Sequence, residues 1–122
     1  YHSTWASSGG YEPIADILFS RENVDGFYLE FDDDRSGGFE PLRFVPEGKK
    51  VVLGLLTSKS PVLEEEAPIV ARIKEASQYV PLENLYLSPQ CGFASCEIGN
   101  KLTEEEEWAK LARVKEISEK VW

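Results

Sequence analysis

Three short apolar runs alternate with segments of helical periodicity along the chain. The runs cover residues 24–31, 50–56 and 85–87, and Gly, Pro, Asn and Asp residues border them as in turns. They are almost continuously apolar rather than alternating, which is typical of strands in a parallel sheet that helices cover. We therefore predict three buried strands.

Apolar residues recur at helical spacing between these runs. Residues 11–20 and 68–79 are each predicted to form a helix, and residues 39–44 a short helix or turn. The apolar positions are Ile14, Ile17 and Leu18 in the first helix, and Ile69, Val70, Ile73 and Ala76 in the second. Pro13 and Pro68 fit in a first helical turn, where the missing N–H has no intrahelical partner.

The last helix has the clearest start signal in the sequence. Thr103 is followed three residues later by Glu106, the spacing of a capping box in which each side chain accepts from the other residue's backbone N–H. The predicted helix then runs through Trp108, Leu111, Val114, Ile117 and Val121.

The order of elements predicts an α/β fold with a parallel sheet. One helix precedes three strand–helix units, the first with only a short crossover helix. Three strands are too few to bury both sheet faces or to hide two sheet edges. We therefore expect residues 1–122 to be one incomplete domain, a piece of a larger fold.

Composition and charge narrow the class of partner. The chain has 122 residues and a formal net charge of −9, without a Lys/Arg cluster. Nucleic acids and anionic membranes both require a basic footprint, so neither is expected as a partner. Neither a pattern typical of a signal peptide nor an apolar run long enough to cross a bilayer is expected from these residues, and we expect a cytoplasmic protein in which Cys91 and Cys96 are reduced thiols rather than a disulfide.

The candidate functional residues lie where the predicted strands end. Glu30 lies between two apolar residues, and a buried carboxylate must be paired, hydrogen-bonded or bound to a metal. A salt bridge with Arg35 or Arg43 is the structural alternative. Cys91 follows the third strand and precedes Gly92, and is either a packed core thiol, a nucleophile or a metal ligand.

A carboxylate and a thiolate are acceptable zinc ligands. Two ligands do not complete a zinc site, and His2, the only histidine, has no cysteine near it in the sequence. Cys96 has no comparable context and is treated as incidental.

Several blocks of residues in one order resemble a known family. The sequence is similar to the C-terminal part of the catalytic domain of cobalamin-independent methionine synthase, especially its shorter bacterial relatives. The matching blocks are Ser3-Thr-Trp-Ala-Ser-Ser-Gly-Gly-Tyr11, Tyr28-Leu-Glu30, Arg35-Ser-Gly-Gly-Phe-Glu-Pro-Leu42, Val52-Leu-Gly-Leu-Leu-Thr-Ser-Lys59, Leu85-Tyr-Leu-Ser-Pro-Gln-Cys-Gly-Phe-Ala-Ser95, Gly99-Asn-Lys-Leu-Thr-Glu104 and Trp108-Ala-Lys-Leu111.

The resemblance implies a zinc-dependent methyltransferase. The family's domain is a TIM (βα)₈ barrel that transfers a methyl group from methyltetrahydrofolate to the thiol of homocysteine, giving methionine. Residue matching makes Glu30 and Cys91 two of the zinc ligands. The remaining pair, His-x-Cys, is expected just before Tyr1, so the chain would supply about three strand–helix units at the C-terminal end of the barrel.

The sequence also departs from the family pattern. The family's general-acid histidine is absent, and Thr57-Ser58-Lys59 occupies its region, so Lys59 or Thr57 is a candidate for proton delivery. The piece alone is expected to be inactive and to associate with itself or with the missing N-terminal portion of the barrel. Zinc-dependent alkyl transfer to a different small thiol, and a non-catalytic acidic α/β module, remain the alternatives.

Overall fold

Helices and parallel strands alternate along the part of the chain that the structure describes. The computed structural model describes residues 8–32, 36–94 and 96–122. The elements are, in order, α1 (Ala15–Arg21), β1 (Gly26–Glu30), a 3₁₀ helix (Glu40–Phe44), β2 (Lys50–Leu56), α2 (Glu66–Ala76), a 3₁₀ turn (Leu82–Asn84), β3 (Leu85–Pro89) and α3 (Glu104–Val121). This order confirms the predicted alternation, including the short helix between the first two strands.

The three strands form one parallel sheet in the order β1–β2–β3. Glu30 pairs with Gly54, and Gly54 pairs with Ser88, so these residues lie in one row across the sheet. The register between β2 and β3 shifts after Gly54, and Leu56 pairs with Pro89. This irregularity interrupts the regular pairing just where the strands end.

Helices cover one face of the sheet and build the core there. Leu53 of β2 and Ile117 of α3 are completely buried, as is Ile73 of α2. The opposite face is open: Tyr28 is 84% exposed and Tyr86 is 43% exposed. The described residues bury only one face of the sheet, which agrees with the expectation that three strands are too few to bury both.

Aromatic side chains pack α1 against β1. The Phe19 and Phe27 rings meet edge to face with centroids 5.0 Å apart. The predicted apolar face of this helix was wrong at Ile14 and Ile17, which are more than half exposed. Leu18 packs against the core, and Phe19 is completely buried. Ile14 lies in the turn before α1 begins at Ala15, and the helix buries the face that carries Ala15 and Phe19, four residues apart.

The predicted capping box at the start of α3 is confirmed. The Thr103 hydroxyl accepts from the Glu106 backbone N–H at 3.3 Å, and the Glu106 carboxylate accepts from the Thr103 N–H at 2.7 Å. Trp108 at the start of the predicted apolar stripe is 63% exposed, whereas Lys110 is completely buried. Within the described ranges, no helix combines the length and apolar character needed to cross a bilayer.

Candidate functional site

The carboxyl ends of the three strands border an open cleft of about 360 Å³. Its floor is the row formed by Glu30, Gly54 and Ser88. The cleft is lined by Tyr28, Leu29, Glu30, Gly54, Ser88, Pro89, Gln90 and Cys91. Active sites and ligand-binding sites lie at this end of the strands in α/β barrels and open α/β sheets, so the cleft is in the position expected of a functional site.

Gly54 keeps the centre of this row free of a side chain. A Cβ at this position would stand 2.9 Å from the Leu29 carbonyl oxygen and 3.6 Å from the Glu30 Cα. Contacts under 3 Å with backbone atoms require the strands to move apart. A glycine here therefore lets the Glu30 and Ser88 strands stay close together.

Cys91 and Glu30 both line the cleft, and their side chains are close enough for Glu30 to affect the ionisation of Cys91. The pKa of Cys91 is raised, first by partial burial of the thiol and then by the hydrogen bond and the negative charge of Glu30. The ammonium group of Lys59 acts in the opposite direction and lowers the pKa of Cys91. Three of the four residues singled out in the sequence thus interact at one place.

The chain between β3 and Cys91 is fixed by two backbone hydrogen bonds. The Gln90 N–H donates to the Leu56 carbonyl at 2.9 Å and extends the pairing with β2 by one residue. The Gly92 N–H donates to the Gln90 carbonyl at 2.6 Å. Gly92 has a φ of +105°, a conformation that other residues rarely adopt, and the tight turn that it allows leaves Cys91 exposed at the mouth of the cleft.

Lys59 and Thr57 form a compact turn after β2. The Lys59 Nζ donates to the Gln90 side-chain Oε1, and the Lys59 backbone N–H donates to the Thr57 hydroxyl at 3.2 Å. The Thr57 N–H in turn donates to the Glu64 carboxylate at 2.9 Å. Lys59 thus extends toward Cys91, whereas the Thr57 hydroxyl is used within the turn.

The structural alternative for Glu30 is not supported at Arg43. The Arg43 guanidinium pairs with Glu12 through both nitrogens and also donates to the Glu40 carbonyl at 2.9 Å. Arg43 holds the pKa of Glu12 below its ordinary value through this hydrogen bond. Arg35 and His2 lie outside the described residues. Cys91 and Cys96 are both free thiols, as expected.

The donors present are compatible with a zinc site that other residues must complete. Glu30 offers carboxylate oxygens and Cys91 a sulfur, both of which zinc accepts. In residues 8–32, 36–94 and 96–122, no group of three or more His, Cys, Asp or Glu side chains is placed to hold a metal. Further ligands would have to come from outside these ranges.

Sequence reasoning missed two residues near the site, Gln90 and Lys110. Gln90 is 7% exposed and links Lys59 to the strand end next to Cys91. Nothing in the sequence marks it beyond its place before Cys91. Lys110 did have a signal, because it precedes the apolar residues Val114 and Ile117 by four and seven positions, the spacing of one helix face.

Comparison with known proteins places the chain in a family. Residues 11–119 match the family model described as the catalytic domain of cobalamin-independent synthase. The chain belongs to this family. The match covers almost all of the sequence and agrees with the blocks that carried the resemblance.

Two curated relatives of the chain come from Bacillus subtilis (strain 168). The protein YxjG is 56% identical and YxjH 54% identical, each over the whole of this chain, and both are described as uncharacterized. The chain spans about a third of their length, 32% and 33% respectively.

Two solved structures of cobalamin-independent synthase type share the fold. A Listeria monocytogenes protein, provisionally called a vitamin-B12 independent methionine synthase, has a TM-score of 0.75 at 49% identity over 93% of this chain and 32% of its own. A B12-independent methionine synthase from Shewanella sp. W3-18-1, solved with selenomethionine, has a TM-score of 0.74 at 23% identity over 91% of this chain and 30% of its own. The three-stranded α/β unit thus matches part of a TIM-barrel methionine synthase-like domain.

Proposed function

We propose that this chain forms the C-terminal part of a (βα)₈ barrel that transfers a methyl group from methyltetrahydrofolate to the thiol of homocysteine, giving methionine. The observation that carries this proposal is the contact between the Cys91 thiol and the Glu30 carboxylate at the carboxyl ends of β3 and β1. A sulfur and a carboxylate adjacent at that end of a barrel sheet are suited to bind a metal that activates a thiol.

Zinc is the cofactor that these donors fit. Zinc bound here would hold the substrate sulfur as a thiolate at neutral pH. Glu30 and Cys91 would be its ligands from this chain, with the remaining ligands, expected as His-x-Cys, from outside the described residues. We assign Glu30 the role of the weaker oxygen ligand, which yields more readily than Cys91 when a substrate sulfur binds.

Lys59 is proposed to deliver the proton that the departing amine of the methyl donor requires. Its ammonium donates to the side chain of Gln90, the residue before Cys91, and its positive charge lowers the pKa of Cys91. Thr57 is proposed to assist by fixing the Lys59 backbone rather than by transferring the proton itself, since its hydroxyl accepts from the Lys59 N–H.

The partners of the site follow from this assignment. They are homocysteine or another small thiol, a folate methyl donor, and the rest of the barrel, which would cover the open sheet face of Tyr28 and Tyr86. The negative charge of the chain argues against nucleic-acid or membrane partners. Free cysteines are in keeping with the reducing cytoplasm that we propose as the location.

The test is metal content and methyl transfer in the full-length protein that carries this sequence. We expect stoichiometric zinc, loss of zinc and turnover in Cys91→Ser, and reduced zinc affinity and turnover in Glu30→Gln. Cys96→Ser is the matched control, because this second thiol is outside the cleft lining, and it should retain both. Unchanged zinc and turnover in Glu30→Gln and Cys91→Ser would contradict the assignment. Transfer to other small thiols but not to homocysteine would favour the alternative acceptor, and no transfer to any thiol the non-catalytic module.

A further inference from the structure

Lys110 of α3 is a completely buried lysine whose ammonium group is fully hydrogen-bonded. Its Nζ donates to the two carboxylate oxygens of Glu64 at 2.8 and 3.0 Å and to the Val62 carbonyl at 2.5 Å. Three donors thus meet three acceptors, which is what a buried ammonium requires. This pair connects α3 to the segment between β2 and α2.

Glu64 has a second partner at the end of β2. Its Oε1, which accepts from Lys110, also accepts from the Thr57 backbone N–H at 2.9 Å. Thr57 is the first residue after β2. Its N–H is therefore no longer bonded within the sheet and needs another acceptor. The carboxylate therefore fixes the point at which the chain leaves the sheet.

Each residue of the turn after β2, from Thr57 to Lys59, takes part in a hydrogen bond. Ser58 is 1% exposed, and its carbonyl accepts from the Asn100 side chain at 2.6 Å. The Lys59 N–H is bonded to the Thr57 hydroxyl and its Nζ to Gln90. The position of the Lys59 ammonium beside Cys91 thus depends on a continuous set of contacts that begins at Lys110 on α3.

We propose that the Lys110–Glu64 pair is a positioning device that places Lys59 for proton delivery. Buried ion pairs contribute little net stability compared with apolar residues of similar volume, so stability alone does not account for this one. The shared Oε1 gives the pair a specific task, because it orients the acceptor that holds Thr57. The inference rests on the proposed function of Lys59 and extends it to two residues that touch neither zinc nor substrate.

Two double variants of the full-length protein separate positioning from stability. Lys110→Met with Glu64→Gln removes both charges but keeps an oxygen acceptor for the Thr57 N–H. Lys110→Met with Glu64→Met removes the charges and the acceptor. Because neither leaves a buried charge unpaired, both are expected to fold. Lys120→Met is the matched control, since Lys120 forms an exposed pair between α3 and Glu66 that does not contact the turn.

We expect the acceptor-free double variant to lose about 10- to 100-fold in kcat, with KM for the thiol little changed, because a misplaced catalytic group costs rate rather than binding. The variant that keeps the acceptor should retain most of the kcat, and Lys120→Met should equal the parent protein. Hydrogen exchange should show the Thr57 amide protected in the parent and in the variant that keeps the acceptor, and unprotected in the acceptor-free variant.

Equal kcat in the two double variants, or equal protection of the Thr57 amide, would overturn the proposal. Loss of folding in both would assign the pair to stability and overturn it as well. The amide measurement does not depend on activity. A parent protein without methyl transfer would therefore remove the proposed function, while the exchange data would still decide whether the pair holds the turn.

Discussion

Gly54 lies directly opposite Glu30 in the parallel register, and a Cβ on Gly54 would reach to 3.6 Å from the Glu30 Cα. The same Cβ would stand 2.9 Å from the carbonyl oxygen of Leu29, which is backbone and cannot rotate away. A side chain at position 54 would therefore push β1 and β2 apart at the cleft. The contact between Glu30 and Cys91 depends on the spacing of these strands.

Gly54→Ala should destabilise the protein and weaken its site. We expect a loss of about 1–3 kcal/mol in the free energy of unfolding, the usual cost of overpacking. Zinc affinity of the full-length protein should fall as Glu30 moves. Gly26→Ala is the control, because its Cβ would meet Lys50 at 3.1 Å in the same pair of strands but at the amino-terminal end. Chemical denaturation and zinc titration measure both effects, and equal loss of zinc affinity in the two variants would contradict the local explanation.

The pKa of Cys91 should respond in opposite directions to its two charged neighbours. In the zinc-free 122-residue chain with Cys96→Ser, Glu30→Gln should lower the pKa of Cys91, because a negative charge that disfavours the thiolate is removed. Lys59→Met should raise it, because a positive charge that favours the thiolate is lost. The dependence of the iodoacetamide alkylation rate on pH measures the pKa of this single thiol.

Glu83→Gln is the control for that experiment, because Glu83 is exposed at the opposite end of β3. It should leave the alkylation profile unchanged.

The raised pKa of Cys91 also has a consequence for how stability depends on pH. A raised pKa in the folded state means that folding favours the protonated thiol, so this contribution is present below the unfolded pKa and is lost as the pH rises through the folded pKa. A shift in the same direction for Glu30→Gln and Lys59→Met would contradict the arrangement of charges.

The fold was predictable because the apolar runs, the helical periodicity and the capping box all indicated the same alternation of strands and helices. The three apolar runs became β1, β2 and β3, and the capping box became the start of α3. The first helix was less well predicted, because its start depends on a turn that follows Tyr11 rather than on an N-cap residue. Ile14 therefore lies outside the helix, and the face that packs on the core is the one that carries Ala15 and Phe19.

The meeting of Glu30 and Cys91 was also predictable, since parallel strands bring their carboxyl ends to the same edge. The partner of Arg43 was not. Its guanidinium could reach several carboxylates by sequence, and only the packing of the 3₁₀ helix beside α1 selects Glu12. Gln90 was missed for the same reason, because a side chain that bridges two strand ends has no periodic signal.

The capping box of α3 provides a direct test of local stability. Thr103→Ala should lower the free energy of unfolding by about 1 kcal/mol, because the Glu106 N–H loses its acceptor. Glu105→Ala is the control, since this exposed residue in the same turn takes no part in the capping box. Chemical denaturation compares the two variants. A cost for Glu105→Ala equal to that for Thr103→Ala would show that charge in the first turn, and not the cap, stabilises the helix start.

The open face of the sheet should make the isolated 122-residue chain associate with itself. Tyr28 is 84% exposed on this face, and exposed apolar surface beside unpaired strand edges favours association. Sedimentation velocity should show dimers or larger species. Metal analysis of the same chain should find little bound zinc, and an activity assay should find no methyl transfer.

Tyr28→Thr should reduce that association without loss of fold, because its side chain has few contacts to lose. Ile17→Thr is the matched control, since Ile17 is 59% exposed but lies on α1, away from the open face. It should associate as the parent chain does. Mixing the isolated chain with the remaining portion of the barrel should replace self-association by a mixed complex and restore zinc binding. A monodisperse monomer with stoichiometric zinc would contradict this prediction, because it would mean that the described sheet needs no cover and that two ligands are enough.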